Sequence, residues 1–197
     1  MKEIKHFFGV PMLFGNFGCT KKFIRPIEEK PCYKYQPGKF KHRKANGHGT
    51  VDRQILSTYK PLCNLITPFI NEYLYDVIKL CKTHTYTIAS SWGNIHYNND
   101  WSHKHNHETS DFSGCCYIKC NPDSGNINFY KPYFHYNLLQ TQKELRFSEE
   151  TDLNTEKISI TPIDGDIILF PSFVAHDVDT NISDETRISL AFDITIN

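Results

Sequence analysis

Arg187-Ile-Ser-Leu-Ala-Phe-Asp-Ile-Thr-Ile196 carries an apolar residue at every second position: Ile188, Leu190, Phe192, Ile194 and Ile196. Side chains of an extended segment alternate between two faces, so this stretch reads as a strand with one apolar face. Working outward, Asp164-Gly165 marks a turn before the fully apolar run Ile167–Phe170, and Lys157–Thr161 alternates at Ile158 and Ile160. Asn126–Tyr130 follows the turn Asp123-Ser124-Gly125. Ser113–Lys119 and residues 84–97, rich in Thr, Tyr, Ile and Trp, complete a series of short strands. Such a series with turn signals between its members predicts an antiparallel sandwich or barrel.

One helical region is expected outside this core. Thr67-Pro68 offers an N-cap followed by proline at the first helical position. Phe69, Ile70, Tyr73, Leu74, Val77, Ile78 and Cys81 then recur at three- and four-residue steps, the spacing of one buried helical face. A turn around Leu62–Ile66 is expected to join it through a kink at Pro68. His6–Phe14 reads as a short edge strand, and residues 16–50 show no periodicity. The class predicted is mainly β (α+β), a jelly roll with a helical region packed outside. Its organisation is expected to be a single domain over 1–197: a strand, irregular segment and support helix through residue 83, then the β core over 84–197.

The composition narrows the class. A chain of 197 residues, 39% hydrophobic and 22% charged, has the size and balance of one globular domain. No apolar run approaches the roughly 20 residues of a membrane span. Met1–His6 lacks a leader's apolar stretch, so a cytoplasmic location is expected. The seven cysteines are odd in number and include no Cys-x-x-Cys pair, which argues for reduced thiols rather than a disulfide framework. Net charge is zero but uneven: residues 21–48 hold nine Lys/Arg against Glu28 and Glu29, a local +7. With Tyr33, Tyr35 and Phe40 between the charges, this segment has the make-up of a nucleic-acid contact, and equally of a solvated loop, the reading preferred.

The chemistry lies in a skeleton of histidines. His103, His105 and His107 occupy alternate positions, so two of them can converge on one ion; imidazole suits iron, copper, nickel or zinc. His176 follows the apolar strand Ile167–Phe170 and is expected at a strand end near the barrel mouth. A hairpin through Asn181–Glu185 would return the last strand beside His176. That strand begins with Arg187 and Ser189 on one face, a guanidinium fork and a hydroxyl suited to a carboxylate.

These residues resemble the 2-oxoglutarate- and Fe(II)-dependent oxygenases, and in particular a small group from phages and bacteria with a His-x-His-x5-Ser-Gly-x-x-Tyr pattern. Here the pattern is His105-Asn-His107, Glu108–Phe112, then Ser113-Gly-Cys-Cys-Tyr117. Trp92-Gly-Asn94, Pro122–Gly125, Phe129–Pro132, Gly165–Ser172, His176 and Arg187-Ile-Ser189 extend it, so that it spans roughly residues 84–197. The resemblance implies a double-stranded β-helix with iron at its open end, held by His105, His107 and His176. Arg187 and Ser189 would hold the distal carboxylate of 2-oxoglutarate, with Tyr117 and Asn94 as helpers. Dioxygen would be the second co-substrate. Decarboxylation to succinate would drive oxidation, most simply hydroxylation, of a further substrate.

One departure stands out. The usual site of this kind is two histidines and a carboxylate, whereas His107 stands where the carboxylate is expected. A neutral third ligand would leave the site one unit more positive. Asp111 or Glu108 is an alternative oxygen ligand, and His103-x-His105 an alternative frame. The loop Tyr133–Glu156, with Tyr133, Phe134, His135 and Tyr136, is a candidate substrate wall together with residues 30–50. Two other function classes fit less well. One is a non-enzymatic β-sandwich protein of a phage structure or nucleic-acid complex. The other is a cupin-like three-histidine metalloenzyme without 2-oxoglutarate, for which Arg187 and Ser189 would have no purpose.

Overall fold

The last strand, Arg187–Ile196, is hydrogen-bonded on both edges and organises the molecule. The structure is a computed structural model and describes residues 9–18, 20–34, 47–132 and 155–197. The strands are β1 (Leu13–Asn16), β2 (Cys32–Lys34), β3 (His48–Thr50), β4 (Tyr86–His96), β5 (Ser102–His105), β6 (Phe112–Lys119), β7 (Ile127–Tyr130), β8 (Lys157–Ile160), β9 (Asp166–Pro171), β10 (His176–Val178) and β11 (Arg187–Ile196). They form a seven-stranded sheet in the order β1-β9-β6-β11-β4-β3-β2 and a four-stranded sheet in the order β5-β10-β7-β8. Every paired neighbour within these sheets is antiparallel.

Six of the seven connections from β4 to β11 pass from one sheet to the other, β7 to β8 being the exception. That winding is a jelly roll, the double-stranded β-helix. The pairs β4–β11, β6–β11 and β6–β9 of the large sheet and β5–β10 and β7–β10 of the small one are thereby built from residues far apart in sequence, with β4 and β11 at the two ends of the core lying side by side.

The period-two pattern of β11 separates two cores. Ile188, Leu190, Phe192 and Ile194 are fully buried against a helical layer that includes Ile55, Leu62, Ile66, Ile70 and Leu74. Burial of each such side chain is worth about 1.5–3 kcal/mol relative to exposure. A second cluster lies inside the roll: Cys115, Tyr117, Ile127, Phe129, Ile168, Phe170 and Val174.

Gly114 shows how closely the first core is filled. A Cβ there would stand 2.2 Å from the Phe192 ring, its partner in register on β11. Gly114→Ala is therefore expected to destabilise the fold by about 1–3 kcal/mol through overpacking, read as a lower denaturant midpoint.

The helical region differs from the sequence expectation. α1 (Lys21–Glu28) forms within the segment read as aperiodic, because Phe23 and Ile27, one turn apart, are both fully buried. Much of the basic segment is thus structural: Lys30 pairs with Asp52 at 2.6 Å, and β2 and β3 add to the edge of the large sheet. A short α2 (Ile55–Thr58) precedes α3 (Lys60–Asn71), which starts seven residues before Thr67. Thr67 is not an N-cap; its hydroxyl donates to the Cys63 carbonyl at 2.8 Å inside the helix, and Pro68 is helical. The expected Phe69–Cys81 stripe also ends early. α3 runs into a π-helical segment, Glu72–Val77, which shifts the phase, so Tyr73 and Leu74 are buried while Val77 and Cys81 are exposed. No described helix is long and apolar enough to cross a membrane. The proposed substrate wall over Tyr133–Glu156 lies almost wholly outside the described residues, as do residues 35–46 and 6–8; the strand expected over His6–Phe14 starts only at Leu13 and runs to Asn16, residues 9–12 being no strand.

Candidate active site

The second face of β11 decides the site. Arg187, Ser189, Ala191 and Asp193 alternate with the core residues and all line a cavity of about 840 Å³ between the two sheets. By the same periodicity Trp92, Asn94 and His96 of β4 line it from the adjacent strand. His105 and His176 come from the opposite sheet, where they face each other in register across β5 and β10. His107 lies just past β5, held by a hydrogen bond from its backbone N–H to the Ser172 carbonyl at 2.9 Å.

Three imidazoles converge. One nitrogen from each of His105, His107 and His176 lies within 4.8 Å of the other two. Their second nitrogens determine the tautomer. His105 Nδ1 is 2.7 Å from the His103 carbonyl, and His176 Nδ1 is 3.1 Å from the Val174 carbonyl. A carbonyl oxygen only accepts, so both Nδ1 atoms carry hydrogen and both Nε2 atoms present lone pairs. His107 Nδ1 is 2.5 Å from the Asp193 carboxylate. Burial, with neighbouring His105, pushes the His176 pKa down to about 3, keeping its ring neutral. The His103 ring lies tilted beside that of His105 at 5.3 Å between ring centroids but is not a member of the converging set. No carboxylate among the described residues joins it either. Asp111 instead accepts the Ile196 N–H at 2.8 Å on the far side of β11, and Glu108 is exposed on the cavity rim.

The other end of the cavity holds an unusual cation. Arg187 is 2% exposed, and its Nε and one of its Nη atoms are buried without a hydrogen-bond partner among the described residues. The remaining Nη stands 3.3 Å from Nδ1 of His96, the residue opposite it on β4. Burial, then the Arg187 charge, lowers the His96 pKa to about 3, so a neutral imidazole accepts from the guanidinium. Ser189 is flanked in register by Asn94 and Tyr117. Asn94 and Ser189 line the cavity, whereas Tyr117 is fully buried, its ring 5.2 Å from the guanidinium and its hydroxyl without a hydrogen-bond partner among the described residues. Burial raises the Tyr117 pKa well above that of a free phenol.

The sequence expectation of a hairpin from His176 to Arg187 is not met. β10 belongs to the small sheet and β11 to the large one, so residues 179–186 cross between sheets. Buried Asn181 ties this crossing down by donating to the His96 and Glu185 carbonyls. His176 and Arg187 meet across the cavity rather than along a sheet edge. Two contributors were missed in the sequence: His96 and Asp193. Both share the period-two face of a residue already singled out, Asn94 and Ser189 respectively, and that alternation was the available signal.

Such an arrangement can hold one metal ion at three neutral nitrogens and one carboxylate-bearing ligand at a buried guanidinium. A search of curated proteins finds no match for the sequence. Among solved structures, the chain resembles the non-heme α-ketoglutarate-dependent epimerase SnoN from nogalamycin biosynthesis at a TM-score of 0.65 and 12% identity, covering 94% of this chain and 78% of that one. It resembles HygX from Streptomyces hygroscopicus, solved with nickel and 2-oxoglutarate, at 0.58 and 11%, covering 94% and 83%. A Pseudomonas putida prolyl-4-hydroxylase matches at 0.58 and 10%, covering 94% and 93%. At such identities these likenesses establish the shared double-stranded β-helix. The family evidence is separate: residues 90–193, more than half of the chain and every residue of the site just described, match the model of the family described as "Putative 2OG-Fe(II) oxygenase", and the chain belongs to that family.

Proposed function

We propose that the chain is a single oxygenase domain that couples oxidative decarboxylation of 2-oxoglutarate to hydroxylation of a further substrate. His105, His107 and His176 would hold Fe(II). Arg187 and Ser189 would hold the distal carboxylate of 2-oxoglutarate, with Asn94 beside them and Tyr117 supporting Arg187 from behind. The observation that carries this reading is the buried guanidinium. A cation at 2% exposure, two of whose nitrogens lack a hydrogen-bond partner among the described residues, is costly unless a ligand supplies the counter-charge, and this one shares its cavity with three converging imidazoles. A cupin-like three-histidine enzyme without 2-oxoglutarate has no use for it.

The donor set fits the group. Neutral imidazoles suit Fe(II), and their outer nitrogens are engaged so that each ring is fixed in orientation. A planar guanidinium with two nitrogens lacking a hydrogen-bond partner among the described residues suits a carboxylate. When bound, iron with 2-oxoglutarate supplies the oxidising chemistry by activating dioxygen. The chain's own residues bind and orient the reactants and keep water from them: Phe129 and Phe170 pack against His176, and Trp92 against His107.

The test is an anaerobic titration of the protein with Fe(II) and then 2-oxoglutarate. The expected result is a visible metal-to-ligand charge-transfer band that saturates with the co-substrate, followed in air by succinate formation. A folded, iron-loaded protein that shows neither contradicts the proposal.

A further inference from the structure

Asp193 is the hub of a polar cluster on the wall beside His107. One carboxylate oxygen accepts from His107 Nδ1 at 2.5 Å and from the Ser113 hydroxyl at 2.9 Å; the other accepts from the Ser90 hydroxyl at 3.1 Å. The two serines stand directly opposite Asp193 in register, Ser113 on β6 and Ser90 on β4. Ser172 braces Ser113 at 2.8 Å. The carboxylate is thus built into three adjacent strands and aimed at one imidazole. The side chains of Asp193 and His107 are only 13% and 11% exposed, so water screens their interaction weakly.

Resting on the reading of His107 as an iron ligand, we propose that Asp193 supplies, through His107, the negative charge that a directly bound carboxylate would otherwise bring to the metal. Three neutral imidazoles around a divalent ion leave +2; Asp193 one residue behind brings the local total to +1, the total of a two-histidine, one-carboxylate site. The hydrogen bond also fixes the His107 ring so that its other nitrogen faces the other two histidines. Asp193 is a positioning and charge-balancing residue, not a ligand: His107 Nδ1 lies between it and the metal position.

Asp193→Asn separates charge from shape. The amide oxygen still accepts from His107 and Ser113, and the amide N–H₂ can donate to Ser90, whose hydroxyl is free to reverse. Co(II) and Ni(II) affinity, read by chelator competition, is expected to fall about ten- to hundredfold. Affinity of the metal-saturated variant for 2-oxoglutarate is expected to rise, because a more positive site attracts the dianion more strongly. Opposite movement of the two affinities is a signature that simple damage to the site does not produce. Unchanged metal affinity, or a parallel loss of both, overturns the proposal. Should the Asn variant fail to fold, Ser113→Ala replaces it: the carboxylate oxygen that His107 uses then has no second donor, Ser90 remaining on the other oxygen, and metal affinity should hold or tighten, whereas a fall would show Asp193 to be merely part of a structural network. The wild-type control keeps the two readings apart, since absence of metal binding there removes the ligand assignment itself.

Discussion

His176→Ala is expected to weaken Fe(II) binding by more than about a hundredfold, beyond the range typical of residues that only support a ligand. The three imidazole nitrogens lie within 4.8 Å of one another, and no carboxylate among the described residues belongs to that set. The His103 ring lies tilted beside that of His105 but stands outside the set. His176 is 7% exposed and packs on Phe129 and Phe170, so the substitution also removes some apolar contact. Far-ultraviolet circular dichroism of the metal-free variant separates the two effects: a native spectrum with lost metal uptake is the expected result. Unchanged Fe(II) affinity with full turnover would remove His176 from the ligand set.

Arg187→Met should act on the co-substrate and leave the metal in place. A charge-assisted hydrogen-bonded contact is worth about 1.5–3 kcal/mol, so affinity for 2-oxoglutarate is expected to fall about ten- to hundredfold. The same substitution carries a second, opposite expectation. In the ligand-free protein the guanidinium is buried with two nitrogens unpartnered among the described residues. Methionine fills similar volume without a charge to desolvate, so the ligand-free variant is expected to melt at a higher temperature than wild type. A scanning melt with and without 2-oxoglutarate checks both signs. A variant that binds the co-substrate normally would show that Arg187 is a structural residue, and a lower ligand-free melting temperature would show that its charge is already compensated.

The legibility of this protein followed the physics of its elements. Strands β4, β6, β7, β8, β9 and β11 were readable within a few residues because each carries alternation or an apolar run between turn residues. β5 and β10 were not read as strands. They are four and three residues long, and their polar side chains serve the cavity instead of a core. The start of α3 was misplaced because Thr-Pro is a strong cap signal locally, while packing of Leu62 and Ile66 carries the helix seven residues further back. The phase shift at Glu72–Val77 leaves no mark in residue periodicity that distinguishes it from ordinary helix.

By itself the sequence determined the β-rich class and the placing of Arg187 and Ser189 on one strand face, and it narrowed the candidate ligands to His103, His105, His107 and His176. Each is a property of spacing along one segment or of a pattern whose members keep their order. The tertiary structure alone decided how those parts meet. It put His176 and Arg187 on different sheets across a cavity, left two guanidinium nitrogens buried without a hydrogen-bond partner among the described residues, set His96 beside Arg187, and brought Asp193 to within 2.5 Å of His107, 86 residues away. Those contacts depend on strand register between distant segments, which a jelly roll sets by packing β11 between β4 and β6. The question raised by His107, a neutral residue in a carboxylate's place, could therefore be posed from the sequence, while the carboxylate behind it became visible only once the strands were assembled.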